Sequence, residues 1–182
     1  MPAPETASGV ALAALLASAA VLAAASSAAG CRSLPEYQVL DFWLGEWTVH
    51  VAEQQVGRNR IDKVLDGCAL EEHWQSAAGA QGQSLFYYVP ALAEWRQVWV
   101  TANATAPGGV KEKRLIERRA DGSLVFQGEV ATSEGRRYLD RTTLAPLGAG
   151  RVRQLIEAST DGGATWRTAF DAEYRRVPGA TR

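Results

Sequence analysis

The sequence shows no excess of charge of either sign. It has 19 Lys and Arg residues against 20 Asp and Glu residues, a formal net charge of −1. Glu5 is the only charged residue in positions 1–30, so the rest of the chain carries 19 groups of each sign. The most basic stretch, residues 111–119, interleaves acids with its cations, which is typical of a solvated strand face. We therefore expect no nucleic-acid partner, and membrane contact only through the N-terminal segment.

Histidine and cysteine are also scarce, with two of each. The cysteines form no Cys-x-x-Cys pair, which excludes a zinc knuckle or a thioredoxin-type site. Strand alternation places His50 and His73 on outward faces, so neither is expected to bind a metal or haem inside the fold. The chain has no Gly-x-Ser-x-Gly motif and no Cys and His on one predicted face. We expect no metal and no cofactor, and the sequence leaves open whether the protein is an enzyme.

Long apolar runs are absent except at residues 9–25. Small residues follow and lead to Ala28-Ala29-Gly30-Cys31, an order typical of an export signal over residues 1–30. The end resembles a bacterial lipobox, although Ala28 replaces the usual leucine and no Lys or Arg precedes the run. We predict an exported protein. It is either periplasmic, with a lipid or an uncleaved segment as its membrane anchor, or secreted. Lipidation of Cys31 would leave Cys68 as a lone thiol, whereas an unmodified Cys31 could pair with Cys68 in a disulfide.

Helical patterns are nearly absent as well, since only residues 34–44 could form a helix, which would cap one end of the fold. Short alternating segments separated by turn residues predict ten strands, at 47–53, 59–65, 68–75, 83–89, 95–102, 111–118, 124–130, 137–144, 151–159 and 165–174. The hairpin-length links favour an all-β fold, a single antiparallel up-and-down barrel of about 8–10 strands, over βαβ units. We expect the barrel at 38–177, a short tether at 31–37 and a disordered tail at 178–182.

Aromatic residues mark the start of the predicted barrel in the motif Asp41-Phe42-Trp43-Leu44-Gly45-Glu46-Trp47. Further motifs follow it: Gly67-Cys68-x-Leu70-x-Glu72-x-Trp74, Gly82-x-Ser84-Leu85, Trp95-x-Gln97-x-Trp99, Arg141, Arg153-Gln154-x-x-Glu157 and Phe170-Asp171-x-x-Tyr174. Together they resemble the DUF1579-like bacterial proteins over residues 38–177. The resemblance implies a barrel of the lipocalin or calycin type. It implies no reaction or substrate, because that family has no settled activity.

The segment Ser159-x-Asp161-x-Gly163-x-Thr165-Trp166 also matches the Asp-box of sialidase-type propellers. In those proteins the motif recurs once per blade, whereas this chain has one copy and is too short for a propeller. We therefore predict a structural hairpin in which Asp161 binds turn amides and Trp166 packs beneath them.

Strand alternation also sorts side chains onto faces. Along residues 68–75 the apolar face holds Leu70 and Trp74 and carries Glu72 with them into the barrel. A buried carboxylate is costly unless it is paired or protonated, so an inward Glu72 needs a partner or a purpose. The same alternation predicts an interior lined by six aromatic residues: Trp47, Trp74, Trp95, Trp99, Phe170 and Tyr174. Four polar residues are predicted to lie among them: Glu72, Gln97, Arg141 and Gln154.

An apolar cup with a few polar anchors is typical of a small-molecule site. We expect a small apolar or aromatic ligand to bind Trp74, Trp95, Trp99 and Tyr174, while Glu72 and Arg141, assisted by Gln97 and Gln154, orient its polar group. One alternative is an isomerase or cyclase that uses Glu72 as an acid or base in the same cavity. Another is a structural or partner-binding envelope lipoprotein whose barrel is simply filled. Trp47 is expected to form the barrel floor, and Asp41 to Trp47 to plug that end.

Overall fold

The computed structural model of the protein describes residues 30–106, 108–132 and 134–179. The predicted export signal, apart from Gly30, and residues 180–182 of the predicted tail lie outside the described residues. Within the described ranges, no helix is long and apolar enough to span a membrane.

The described part of the chain forms ten antiparallel strands, which close into one barrel. Their bounds are β1 Gly45–Val51, β2 Gln54–Val64, β3 Ala69–Ser76, β4 Gln81–Val89, β5 Glu94–Thr101, β6 Val110–Arg118, β7 Leu124–Ala131, β8 Arg137–Gly148, β9 Arg151–Ser159 and β10 Arg167–Arg176. Each strand pairs with its neighbours along the chain, and β1 pairs with β10 to close the barrel. Closure leaves no unpaired edge. The predicted all-β, up-and-down antiparallel barrel is therefore confirmed, at the upper end of the expected strand count.

A short helical segment plugs one end of the barrel, called here the closed end. It consists of 3₁₀ turns at Cys31–Ser33, Pro35–Tyr37 and Asp41–Trp43, and it buries Tyr37, Leu40 and Trp43. The predicted helical cap is thus present, as single 3₁₀ turns. The segment 31–37, expected to be a tether, instead contributes Tyr37 to the core because its ring packs edge-on against Trp95 and Tyr88.

Aromatic packing fills the closed half of the barrel. Trp43 contacts Phe86 and Tyr174 edge-to-face, with ring centroids 5.5 and 6.0 Å apart. Trp47 is fully buried and donates a 2.9 Å hydrogen bond from Nε1 to the carbonyl of Trp43. Such edge-to-face pairs add about 0.5–1.5 kcal/mol each beyond their buried area. Trp47 therefore forms part of the barrel floor, as predicted.

A disulfide joins Cys31 to Cys68, with Cα atoms 4.9 Å apart. It connects the plug to the residue that precedes β3, at the closed end. Of the two possibilities that the sequence left open for Cys31, the structure contains the disulfide. A sulfur in this bond cannot also carry a lipid, so lipidation of Cys31 remains a prediction for molecules that lack the bond.

The β9–β10 hairpin has the predicted turn chemistry. Asp161 accepts hydrogen bonds from the Thr165 amide at 2.9 Å and from Ser159 Oγ at 2.7 Å. Trp166 Nε1 donates to the Gly163 carbonyl at 3.0 Å, beneath the turn. The hydrogen bonds from the Thr165 hydroxyl, the Thr165 amide and the Ser159 hydroxyl hold the pKa of Asp161 well below its usual range. Because every group in this network already has a partner within the turn, its role is structural.

Candidate ligand cavity at the open end of the barrel

A cavity of about 290 Å³ occupies the end of the barrel opposite the plug, called here the open end. Six of the eight side chains predicted to bind a ligand line it: Glu72, Trp74, Gln97, Trp99, Gln154 and Tyr174. Three aromatic side chains lie toward its mouth, whereas hydrogen-bonding and charged groups, the Tyr174 hydroxyl among them, form its floor. The sequence therefore identified most of the wall, and the charged part of the floor was missed.

Trp74, Trp99 and Phe170 form the mouth of the cavity, and each is only partly buried. The Trp74 and Phe170 rings contact edge-on, with centroids 6.3 Å apart. Glycines make room for the indoles, because a Cβ at Gly57 or Gly82 would collide with the Trp74 or the Trp99 ring respectively. The Trp74 and Trp99 indoles thus lie over backbone positions that have no side chain, Gly57 and Gly82.

Glu72 lies at the floor and is 3% exposed. Its Oε1 accepts a 2.7 Å hydrogen bond from Asn59 Nδ2, and its Oε2 accepts a 2.6 Å bond from Ser84 Oγ. Burial raises the pKa of Glu72, and the hydrogen bonds from Ser84 and Asn59 oppose this increase. Strand alternation predicted the inward position of Glu72, and Asn59 and Ser84 are the partners that a buried carboxyl needs.

Gln97 has an oxygen with no hydrogen-bond donor among the described residues. Its Nε2 donates to Ser84 Oγ at 3.0 Å, and its Oε1 is buried without a partner. Since the Ser84 hydroxyl proton is given to Glu72, the Gln97 amide nitrogen must face Ser84 and its oxygen must point elsewhere. A buried, unpartnered acceptor costs about 1–3 kcal/mol, so this oxygen is available to any hydrogen-bond donor that enters the cavity, water included.

Tyr174 and Gln154 complete the uncharged part of the floor. The Tyr174 hydroxyl donates to Gln154 Oε1 at 2.7 Å and accepts from Asn59 Nδ2 at 3.2 Å. Burial raises the pKa of Tyr174 well above its ordinary value, so the phenol stays neutral at neutral pH. The network holds these side chains in fixed orientations around the cavity.

A buried charge cluster, which was not predicted from the sequence, forms the other part of the floor. Lys111 and Lys113 of β6 point into the barrel, where Lys113 forms an ion pair with Asp140 and donates to Thr142 Oγ1 at 2.5 Å. Burial lowers the pKa of Lys113 to about 8, against the opposing effect of Asp140. The prediction of a solvated face at residues 111–119 is therefore wrong for these two lysines. Lys111, Lys113 and Leu115 are two residues apart on β6 and therefore share a face. The apolar Leu115 could have identified that face as the inner one.

Arg141 and Trp95 do not line the cavity, contrary to the prediction. Arg141 lies on the outer face of β8, where its Nη2 pairs with Glu157 Oε2 at 2.9 Å and its guanidinium stacks on Trp166. Its neighbour Asp140 takes the interior position, because side chains alternate along the strand. Trp95 does point inward, but it lies fully buried at the closed end, where Nε1 donates to the Glu36 carbonyl at 2.9 Å.

A larger groove of about 670 Å³ runs along the outer face of the strands near β2 and β3. Polar side chains such as Arg58, His73 and Gln83 contribute to its lining. His73 lies outward as predicted, with its ring nitrogens close to Gln83 and Glu71. No group of three or more His, Cys, Asp or Glu side chains in the described ranges is placed to hold a metal ion. Because the interior cavity combines aromatic walls with buried polar groups, it is the better candidate site.

Comparison with models of known protein families gave no match, and comparison with curated protein sequences gave none either. The resemblance to the DUF1579-like proteins therefore remains a prediction.

Proposed function

We propose that this protein binds a small, largely apolar or aromatic molecule of one or two rings in the cavity at the open end of its barrel. The observation that carries the proposal is the pairing of an aromatic mouth, Trp74, Trp99 and Phe170, with a polar floor. A volume of about 290 Å³ is at the lower limit of small-ligand sites, which span about 300–1,000 Å³. The cavity therefore suits a compact guest better than a long lipid.

Export is part of the proposal, and two features support it. The apolar run at residues 9–25 followed by small residues has the form of an export signal. A disulfide such as Cys31–Cys68 persists in oxidising compartments and is rare in the cytosol. We place the protein in the periplasm, anchored or free, or outside the cell. Membership of the DUF1579-like family is likewise proposed, on the motifs from Asp41 to Tyr174.

Titration of the protein with naphthalene derivatives, followed by tryptophan fluorescence, tests the binding proposal. We expect saturable quenching. Replacing Trp99 by Ala should weaken affinity about 5–10-fold because the guest loses an aromatic wall. Trp166→Ala is the matched control, since Trp166 lies on the outer face beneath Arg141 and should leave affinity unchanged. Unchanged affinity in Trp99→Ala, or no saturable binding to the wild type, would contradict the proposal.

An enzyme in the same cavity is the second candidate, and the observation that favours it is the buried carboxyl of Glu72. A raised pKa suits a carboxyl that transfers protons near neutral pH. We propose an isomerase or cyclase reaction on the bound guest as this alternative. Its test compares conversion of bound compounds by wild type and Glu72→Gln. Conversion that survives in the variant would remove the acid–base role.

A structural or partner-binding envelope lipoprotein is the third candidate. The closed half of the barrel is densely filled by aromatic side chains such as Trp43 and Phe86, which favours a structural role for that half. This candidate predicts no saturable ligand binding, so the fluorescence titration distinguishes it from the first two.

A further inference from the structure

Two of the chain's three lysines lie inside the barrel, at interior positions of β6. The side chain of Lys113 is 3% exposed and that of Lys111 is 17% exposed. Lysine is among the residues that are least often buried, because desolvating an ammonium group is costly. Two inward lysines on one short strand therefore need compensating negative charge.

Asp140 of β8 supplies only part of that charge. Lys111 Nζ lies 2.5 Å from Asp140 Oδ2, and Lys113 pairs with Oδ1 of the same carboxylate. Strand β7 lies between β6 and β8, and its Gly128 is paired with Asp140 in the β7–β8 ladder. Because Gly128 has no side chain, nothing at this position separates the β6 lysines from Asp140. One carboxylate thus serves two ammonium groups, and the cluster retains one excess positive charge.

Glu72 is the one acid among the described residues that line the cavity, and it does not form an ion pair with either lysine. Its two oxygens are occupied by the neutral donors Asn59 and Ser84. Burial raises its pKa, which favours the uncharged carboxyl. The cavity floor is therefore short of negative charge where Lys111 and Lys113 lie.

The lysines are next to the aromatic mouth. In the β5–β6 ladder Lys111 pairs with Trp99 and Lys113 pairs with Gln97. Directly opposed residues of an antiparallel pair have Cβ atoms about 4.5–5.5 Å apart. A ring packed against Trp99 would therefore carry a substituent within reach of the Lys111 ammonium group.

On these grounds we propose that the ligand is a small aromatic carboxylate, with its ring between Trp74 and Trp99 and its carboxylate bound by Lys111 and Lys113. The inference rests on the proposed binding function and adds the charge of the ligand to it. A charge-assisted hydrogen bond to a buried anion stabilises the complex more than a neutral one does.

Calorimetric titration with three ligands of equal size tests the inference: 2-naphthoate, 2-naphthamide and 2-naphthylmethylamine at neutral pH. We expect 2-naphthoate to bind at least about tenfold more tightly than the neutral amide, and the cation to bind most weakly. Lys111→Met should weaken 2-naphthoate binding about tenfold and change amide binding by less than about threefold, since the aliphatic stem is kept. Lys111→Arg should retain the preference for the anion.

Arg114→Met is the matched control, because Arg114 is a cation of the same strand whose side chain is 69% exposed. It should alter the affinity for none of the three ligands. Equal affinity for anion and amide, tighter binding of the cation, or an equal effect of Lys111→Met on anion and amide would overturn the inference and leave the binding function standing. Failure of all three ligands to bind would overturn both.

Discussion

Glu72 is a residue at which burial and hydrogen bonding act in opposite directions. Desolvation raises its pKa, while hydrogen bonds from Ser84 and Asn59 and the nearby charge of Lys113 lower it. Burial is the largest effect, so the folded protein binds the Glu72 proton more tightly than the unfolded chain does. Its contribution to stability is fully present below the ordinary pKa of 4.5 and is lost as pH rises through the raised folded value.

Glu72→Gln should therefore gain stability relative to wild type as pH increases. Glutamine keeps the shape of the side chain and cannot ionise, so the variant does not incur the cost of a buried carboxylate. We expect the difference in free energy of unfolding to grow as pH increases from 4 to 8, and to exceed at pH 8 the roughly ±0.5 kcal/mol of ordinary surface changes. Denaturant unfolding at several pH values measures it. Glu71→Gln, on the outer face of the same strand, is the control. A stability difference between Glu72→Gln and wild type that shrinks as pH increases would contradict the account.

Lys113 gives the proposed anion site its own pH dependence. Its pKa is lowered to about 8, and it is faced by Lys111, Asp140 and Glu72. Above that pH the Lys113 amine is mostly neutral and attracts an anion less. Ionised Glu72 repels the anion and so lowers the affinity further. We expect the affinity for 2-naphthoate to fall several-fold between pH 7 and pH 9, with that for 2-naphthamide unchanged. Calorimetry at the two pH values checks this, and anion affinity that rises with pH would refute it.

Among the strands, β3 and β8 show what alternation does and does not determine. On β3, Leu70 and Trp74 identify the inner face, so the inward position of Glu72 follows from the sequence. On β8, Asp140 and Arg141 are neighbours and both are charged, so the pattern does not choose a face. A shift of one residue would exchange the two faces of the strand. The interior position of Asp140 depends on its ion pair with Lys113 of β6, which the pattern of β8 alone does not contain.

Close approach of β6 and β7 depends on Gly128. A Cβ there would overlap the carbonyl oxygen of Glu112, which is backbone and cannot rotate away. Gly128→Ala should therefore lower the free energy of unfolding by about 1–3 kcal/mol, as overpacking does. Urea unfolding measures the loss. Glu129→Ala, an exposed neighbour on β7, should stay within about 0.5 kcal/mol of wild type, and equal stability of the two variants would contradict this packing.

The disulfide between the plug and the residue before β3 should stabilise the fold. Cys31 and Cys68 are 37 residues apart, and closing a loop of this size stabilises the folded state by about 2–4 kcal/mol. Unfolding with and without reductant measures the loss, and Cys31→Ser should reproduce it. Mass spectrometry of the mature N-terminus decides between the two states of Cys31. A lipid on Cys31 would show that the bond is absent in that form.

At the scale of the whole molecule, the barrel has a filled half and an open half. The aromatic plug closes one end. Most of the inward polar side chains that strand alternation predicted lie at the other end. An antiparallel up-and-down barrel of about 8–10 strands follows from short segments joined by tight turns, and it could be predicted, whereas the exact strand count and the closure were left open. The cavity could not, because whether tryptophans fill a barrel or line it depends on ring orientation, which Gly57 and Gly82 determine from neighbouring strands.

The central claim is that a small aromatic ligand enters the open end, and the six tryptophan indole N–H signals test it most directly by NMR. Trp74 and Trp99 line the cavity, whereas Trp43, Trp47 and Trp95 are buried at the closed end and Trp166 lies on the outer face. With signals assigned by Trp→Phe variants, saturating 2-naphthoate should shift the Trp74 and Trp99 signals most. No shift at saturation, or larger shifts at Trp43 or Trp166, would contradict the account.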